Sequence, residues 1–318
     1  MPEPVLLHQS IVDASEIDSL GHLNVRYYVQ RAREASYALL ERAGITLEAG
    51  EVIRWTDTFN RFHREQFEGA SLETFGGFIS AEGFENESSA LSRAYFEIRN
   101  PDSKTLAASF VVSMHIVDSS GRLVSDQQRA QLSQRPEHFI AIPAHGAPRT
   151  LNLKPVKAVT FEEIEAIIDE GPVLDMMSGR REVIVLAQEC DAQGRLQEDV
   201  DLMSVLHRPQ PGENLTAMGQ PALADDQGRR LSWAMLETRS FRFHRPAVDD
   251  VVISMGANLS MGEKWRYTRR WMFVKGSGQL LAIVDSVGIC IDLDARKSVV
   301  ISPELKRTLA ATSLPQFL

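Results

Sequence analysis

An internal repeat constrains the fold of this chain more than any other feature of its sequence. Residues 16–24, EIDSLGHLN, share Glu, Asp, Gly and Leu at matching places with residues 189–197, ECDAQGRLQ. Residues 61–64, RFHR, recur letter for letter as residues 242–245. In both halves an aspartate closes an apolar run and a short helix start follows it (Asp118 and Ser125, Asp292 and Ser302). Three matches in the same order, with nearly constant spacing between the copies, predict a duplicated domain.

The length of the chain and its prolines indicate where the two copies meet. The chain has 318 residues, which suits two domains of about 150 residues each. Residues 127–172 contain five prolines, which mark this stretch as irregular. We therefore predict a first domain over residues 1–135, a linker over residues 136–172 and a second domain over residues 173–318. Thr160 and Glu163 have capping-box spacing ahead of three isoleucines, which predicts a short helix inside the linker.

The bulk composition is that of a soluble globular protein. Hydrophobic residues make up 43% of the chain and charged residues 24%. The formal net charge of -9 argues against nucleic-acid binding, and two cysteines are too few for a secreted disulfide framework. The longest apolar run, residues 280–291, is interrupted by Asp285, and the first residues show no signal-peptide pattern. We expect a cytoplasmic protein that binds neither nucleic acid nor a membrane.

Local patterns predict one long helix among strands in the first half. Residues 25–43 lack Gly and Pro and repeat apolar side chains every three or four residues, with Asn24 as N-cap and Gly44 just past the end. A first strand is predicted over residues 5–13, and further strands over residues 52–117. In the second half, strands are predicted over residues 265–275 and 280–291, but the helix at residues 198–206 is short and cut off by prolines.

The stretch DSLGHLNVRYY, residues 18–28, is the strongest motif in the chain. It resembles the motif of the 4-hydroxybenzoyl-CoA thioesterase class of hotdog enzymes, as do RFHRE at residues 61–65 and MHIVD at residues 114–118. The tandem arrangement resembles the double-hotdog acyl-CoA thioesterases. The resemblance covers most of residues 5–130 and, more faintly, residues 180–310. It implies an α+β fold of two tandem hotdog domains, each an antiparallel sheet wrapped around a helix, with the second helix degenerate.

The resemblance also implies how the two halves would work together. Sites of this family lie between two protomers, so the chain would form an intramolecular pseudo-dimer in which the second half supplies one wall. Further homo-oligomerisation stays open. Asp191 keeps the place of the motif aspartate, but Arg195 and Gln197 replace its histidine and asparagine. We therefore expect the second site to be degenerate.

The chemistry of thioester hydrolysis explains the residue types of the first motif. The reaction needs a nucleophile or a base that activates water, and hydrogen-bond donors for the oxyanion that develops at the carbonyl. We predict Asp18 as nucleophile or general base. By resemblance, the backbone N–H near Val25, at the start of the helix, is the oxyanion donor, and His22 and Asn24 complete the catalytic set.

Each motif residue also has a structural interpretation. Asp18 could be only a turn residue, His22 could orient Asp18 without transferring a proton, and Asn24 could be only an N-cap. Glu34, in the middle of the helix, and Glu65 are rival carboxylates, although both are also compatible with an exposed surface position.

Arginines are the expected partners of the CoA phosphates. The predicted substrate-binding residues are Tyr28, Arg61, His63, Arg64, Arg242 and Arg245. The resemblance implies an acyl-CoA substrate, with acyl carrier protein as an open alternative carrier, and we expect no metal and no cofactor. The competing functions are a non-catalytic acyl-CoA-binding protein and a hotdog-fold dehydratase or hydratase.

Overall fold

The computed structural model describes two compact units, Met1–Arg149 and Thr150–Leu318. The residues it describes are 2–18, 20–79, 92–124, 126–133, 135–154, 156–168, 179–206, 208, 223–225, 228–310 and 313–317. The division between the units falls inside the stretch predicted as the linker. Among the described residues, no helix is both long enough and apolar enough to cross a membrane.

The first unit is built on one antiparallel sheet. Its strands are β1 (Val5–Ile11), β2 (Val52–Phe62), β3 (Ser71–Ile79), β4 (Ser92–Asn100) and β5 (Thr105–Val117), in the order β1-β3-β4-β5-β2. A two-residue strand, β6 (Phe139–Ile140), pairs with β3 in parallel. Its helices are α1 (Val25–Arg42) and α2 (Asp126–Ser133). The strands predicted over residues 5–13 and 52–117 are thus confirmed, apart from residues 80–91, which lie outside the described residues.

Helix α1 begins and ends where its local signals predict. The Asn24 side chain accepts a hydrogen bond from the Arg26 N–H at 3.1 Å, so the predicted N-cap is confirmed. Gly44 follows the helix with a φ of 70°, a left-handed conformation that glycine adopts without strain. One face of α1 is buried against the main apolar core of the unit: Tyr28, Arg31, Ala32, Ala35, Ser36, Leu39 and Leu40. Packing of this face in the core therefore holds the N-terminus of α1 in place next to the preceding loop.

The second unit repeats the strand order of the first. Its elements are α3 (Phe161–Ile168), β7 (Gly179–Ile184), α4 (Leu202–Leu206), β8 (Leu223–Ala224), β9 (Arg230–Arg242), β10 (Val251–Met261), β11 (Trp265–Val274), β12 (Leu280–Asp292), β13 (Lys297–Ser298) and α5 (Pro303–Ala310). The main sheet runs β7-β10-β11-β12-β9. This order matches β1-β3-β4-β5-β2 strand for strand, so the duplication predicted from the sequence is visible in the sheet.

The helices of the second unit differ from the single long helix of the first. Helix α4, at the place of α1, has five residues, which confirms the predicted degenerate helix. Pro209 and Pro211, which were expected to end it, lie outside the described residues. The short helix predicted from Thr160 and Glu163 is α3, and both capping-box hydrogen bonds are present, at 2.8 and 3.3 Å. Ile164 on α3 packs in an apolar cluster with side chains of β10, β11 and β12.

The backbone hydrogen bonds correct one part of the sequence repeat. The Ala107 carbonyl accepts from the N–H groups of His63 and Arg64, and the Leu281 carbonyl accepts from those of Phe243 and His244. Bulges in β5 and β12 make Ala107 and Leu281 equivalent. Hence His63 corresponds to Phe243, and the identical RFHR letters are one residue out of structural register. Since a one-residue shift in a strand reverses the face of every side chain, the repeated letters do not place repeated side chains together.

Candidate active site

A tight hairpin immediately before α1 carries the motif residues of the first unit. The Asn24 N–H donates to the Glu16 carbonyl at 3.0 Å, and the Asp18 N–H donates to the His22 carbonyl at 2.9 Å. Gly21 turns the chain with a φ of 81° and donates its N–H back to the Asp18 carbonyl. The described residues of this first hairpin are 16–18 and 20–24. The hairpin places an acid and a histidine a few residues before the start of α1.

The two oxygens of the Asp18 carboxylate have different surroundings. Oδ1 accepts the Leu20 N–H at 2.8 Å, which is the bond of a turn-forming aspartate. Oδ2 lies 3.5 Å from His22 Nδ1, and the side chain is 20% exposed. Asp18 therefore stabilises its turn with one oxygen and presents the other, partly accessible, beside an imidazole.

His22 lies between two carboxylates. Its Nδ1 faces Asp18, and its Nε2 lies 3.6 Å from Glu65 Oε1. Glu65 is about half exposed, at 48% of its side chain. The sequence analysis named Glu65 as an alternative to Asp18 for the catalytic carboxylate. In the structure both carboxylates contact the same imidazole. Glu34 has other partners, because it contacts His8 at 3.4 Å and accepts from Gln30 at 3.1 Å.

The first turn of α1 offers a backbone donor beside this cluster. The Asn24 side chain occupies the Arg26 N–H. The Val25 N–H has no acceptor among the described residues, and Val25 is exposed at the helix start. Unpaired N–H groups and the positive end of the helix dipole both favour an anion at this position. The geometry can thus accommodate the oxyanion of a tetrahedral intermediate.

Tyr28, in the first turn of α1, is nearly fully buried. Its hydroxyl donates to the Arg64 carbonyl at 3.5 Å. Burial raises the pKa of Tyr28 well above its ordinary value, and the negative charges of Glu65 and Asp18 raise it further. Tyr28 therefore stays a neutral phenol.

Three predicted substrate-binding residues at the end of β2 and just after it have other surroundings. The buried Arg61 donates from Nη1 to the carbonyls of His145 and Ala147 at 3.1 and 3.0 Å. His63 Nε2 lies 3.0 Å from Ser109 Oγ, and burial together with the charge of Arg61 lowers the pKa of His63 to about 4. None of these partners belongs to the first hairpin. The Arg64 side chain is exposed, and only its carbonyl contacts Tyr28.

The second unit contains the same hairpin with a different electrostatic setting. In residues 189–197, called the second hairpin, the Gln197 N–H donates to the Glu189 carbonyl at 2.9 Å and the Asp191 N–H donates to the Arg195 carbonyl at 2.8 Å. Arg245 Nη1 donates to Asp191 Oδ2 at 2.6 Å. The carboxylate is therefore neutralised by a guanidinium instead of facing an imidazole.

The two arginines predicted to bind CoA from the second unit are occupied by the protein itself. Arg245 Nε lies 3.1 Å from Glu198 Oε1, in addition to its contact with Asp191. Arg242 donates to the carbonyls of Glu198 and Gln197 at 2.9 and 3.3 Å. Of the six residues predicted to bind substrate, the structure brings only Tyr28 and the backbone of Arg64 to the first hairpin.

Comparison with known proteins gives structural neighbours but no sequence relatives. No family model matches the chain, and no curated protein matches it. The 12:0-ACP thioesterase from Umbellularia californica is similar at a TM-score of 0.61 and 10% identity, over 89% of this chain and 93% of that one. An acyl-ACP thioesterase from Bacteroides thetaiotaomicron is similar at a TM-score of 0.57 and 7% identity, over 88% and 96%. A putative oleoyl thioesterase from Lactobacillus plantarum is similar at 0.55 and 11%, over 90% and 96%.

At identities this low the likeness concerns the fold and not the activity. The similarity covers nearly the whole of each chain, and so extends over both units. The strand order of each unit and the long helix of the first agree with it. The chain therefore has the α+β fold predicted from its sequence, two hotdog domains in tandem, the second with a degenerate helix.

Proposed function

We propose that this protein hydrolyses acyl thioesters at the first hairpin. The observation that carries the proposal is a tight hairpin that has the Asp18 carboxylate beside an imidazole and leads directly into α1, where the Val25 N–H has no acceptor among the described residues. A base and an oxyanion donor are the two groups that the reaction requires. The likeness to three thioesterases supports the proposal, because the same fold carries that activity elsewhere.

The proposed reaction uses water as the nucleophile. The Asp18 carboxylate takes a proton from a water molecule while the water oxygen bonds to the thioester carbonyl carbon. The carbonyl electron pair moves to oxygen, where the Val25 N–H stabilises the negative charge. The C–S bond then breaks, the carbonyl re-forms, and the departing thiolate takes the proton from Asp18. His22, placed between Asp18 and Glu65, orients the reactive carboxylate.

A nucleophilic role for Asp18 is the alternative route. The carboxylate would attack the carbonyl carbon itself and expel the thiolate, forming a mixed anhydride that water then hydrolyses. Rapid-quench mass spectrometry of the protein distinguishes the two routes. An added acyl mass during the first turnover identifies the anhydride, whereas its absence at all times supports water as the attacking group.

The acyl carrier that we propose is either CoA or acyl carrier protein. Two of them are named for acyl-ACP thioesters, whereas the motif resembles that of enzymes acting on acyl-CoA. Both carriers present the same phosphopantetheine thioester to a site. The side chains of Arg26, in the first turn of α1, and Arg64, just after β2, are exposed and suit either the phosphates of CoA or an acidic carrier surface.

The test is release of free thiol from matched acyl-CoA and acyl carrier protein substrates of several chain lengths. We expect saturable turnover with at least one substrate, and a loss of about 10²- to 10⁴-fold in kcat for Asp18→Asn. Circular dichroism and thermal melting establish that the variant is folded. Saturable binding of an acyl-CoA without any thiol release would instead identify a non-catalytic binding protein and overturn the proposal.

A further inference from the structure

A buried arginine on α1 contacts the base of the first hairpin. Arg31 is 4% exposed, and its guanidinium is hydrogen-bonded on every nitrogen. Its Nη2 donates to Glu16 Oε2 at 2.7 Å and to the Ile11 carbonyl at 3.3 Å, and its Nε donates to Ser10 Oγ at 2.7 Å. Its Nη1 donates to the Tyr27 carbonyl. A buried guanidinium is tolerated only when it is paired this fully, so its position on the helix is closely determined.

Glu16, the partner of Arg31, is the residue from which the first hairpin starts. Its carbonyl accepts the Asn24 N–H, and its side chain also accepts the Asp13 N–H at 3.0 Å. Burial acts to raise the pKa of Glu16, but the hydrogen bonds from Arg31 and Asp13 outweigh it, and the net pKa is lowered. The carboxylate therefore stays charged at neutral pH and ties the hairpin to the second turn of α1.

The second unit contains an equivalent ion pair between an arginine and the glutamate that starts its hairpin, although the arginine comes from a different position in the sequence. The Glu189 side chain accepts the Leu186 N–H at 2.8 Å, as Glu16 accepts that of Asp13. Arg208 forms an ion pair with Glu189 and donates to the Ile184 carbonyl at 2.5 Å. Along the chain, Arg208 lies further from Glu189 than Arg31 does from Glu16. The contact is thus present in both units although the helix α4 is much shorter than α1.

We propose that Arg31 is a positioning residue for thioester hydrolysis, holding the Asp18 hairpin against α1 through Glu16 so that the carboxylate faces the Val25 N–H. This inference rests on the proposed function. The Glu–Arg contact holds a hairpin in both units, but only the first hairpin ends in a helix with an accessible N–H and carries an acid beside an imidazole. A displacement of about 1 Å between reacting groups can lower a rate by about 100-fold.

The test compares Arg31→Met with Arg208→Met, since each removes the same ion pair from an equivalent hairpin. We expect Arg31→Met to lower kcat by about 10- to 100-fold with KM changed less than about threefold. Arg208→Met should keep kcat within about twofold of wild type. Thermal melting of both variants measures the structural damage, and we expect it to be similar in the two. Arg31→Lys, which keeps the charge opposite Glu16, should recover part of the lost kcat.

The outcomes separate this role from the proposed function. Wild-type kcat in folded Arg31→Met, or an equal loss in Arg208→Met, would overturn the positioning role while leaving thioester hydrolysis in place. If Arg31→Met does not fold, Glu16→Gln is used instead. It keeps the shape of the side chain at position 16 and removes the negative charge opposite Arg31. A lowered kcat at unchanged KM in that variant supports the role, and an unchanged kcat overturns it. Absence of turnover in the wild-type protein would overturn the proposed function itself.

Discussion

The two hairpins of this protein share a backbone but not an electrostatic environment. Both close with the same hydrogen bonds, and both hold an aspartate at the same place, Asp18 and Asp191. Glu65, which contacts His22, and Arg245, which contacts Asp191, occupy equivalent positions, because the register that matches His63 with Phe243 continues to this pair. The first aspartate consequently faces an imidazole that a second carboxylate contacts, whereas the second is bound by a guanidinium.

The residue that follows each hairpin also differs. Val25 begins α1 and is exposed, whereas its equivalent Glu198 precedes α4 by four residues, and its side chain forms ion pairs with Arg245 and Arg242. The duplicated hairpin is therefore a scaffold compatible with either arrangement. The side chains around it determine whether its acid is available for chemistry or used in a structural ion-pair network.

The largest expected effect comes from giving the first hairpin the cation of the second. In Glu65→Arg, the new guanidinium should pair with Asp18 as Arg245 pairs with Asp191. We expect kcat/KM for thioester hydrolysis to fall by about 100-fold or more, because the base is neutralised and its accessible oxygen covered. Glu65→Gln, which removes the charge without adding a cation, should fall by only about tenfold. Full activity in folded Glu65→Arg would show that the Glu65 position does not control Asp18.

The second prediction concerns stability instead of rate. Arg245→Met removes the guanidinium that pairs with both Asp191 and Glu198 and leaves Glu198 only its contact with Arg242, so we expect a loss of roughly 2–3 kcal/mol in the free energy of unfolding, below the cost for a fully buried pair. Glu65→Gln should cost no more than about 1 kcal/mol, since that contact is long and half exposed. Denaturant unfolding measures both. Similar losses of unfolding free energy in the two variants would contradict the view that the second hairpin depends on its ion pairs for stability while the first does not.

The third prediction uses pH at another pair of equivalent positions, His63 and Phe243. The pKa of His63 is lowered from 6.5 to about 4, so between these values the unfolded chain binds more protons than the folded one. Its contribution to stability is complete above pH 6.5 and is lost as the pH falls towards 4. We expect His63→Phe to reduce the loss of stability between pH 7 and pH 4.5 by roughly 1–2 kcal/mol. An unchanged pH dependence in denaturant unfolding would contradict the assignment to His63.

The smallest expected effect is at the helix cap. Asn24→Ala removes the side-chain acceptor of the Arg26 N–H and should cost about 1 kcal/mol of stability, while Asn24→Ser should cost less because serine also caps helices. Thermal melting of the two variants measures this difference. A tenfold or greater loss of kcat in Asn24→Ser at full stability would assign the amide a role in catalysis beyond capping.

The sequence predicted the elements whose signals are local. The limits of α1 follow from an N-cap, a helical period and a terminal glycine, all within a few residues of one another. The short helix α3 was predicted in the same way from its capping box. The degenerate second helix followed from nearby prolines that a helix interior excludes.

The partner of each hairpin aspartate could not be predicted, because it depends on strand register. Aligning the letters RFHR pairs Arg64 with Arg245 and leaves Glu65 opposite Pro246. The hydrogen bonds to Ala107 and Leu281 shift this alignment by one residue. Identical letters do not specify the register of a strand in its sheet, so the contact of Glu65 with His22 is visible only in the structure.

The most direct test of the contrast is to remove the charge of each hairpin aspartate separately. Asp18→Asn and Asp191→Asn make the same chemical change on the same backbone, and single-turnover thiol release from a substrate of the wild-type protein measures both. We expect Asp18→Asn to lose at least about 100-fold in rate and folded Asp191→Asn to stay within about twofold of wild type. Comparable losses in the two variants, or normal turnover by Asp18→Asn, would contradict this expectation.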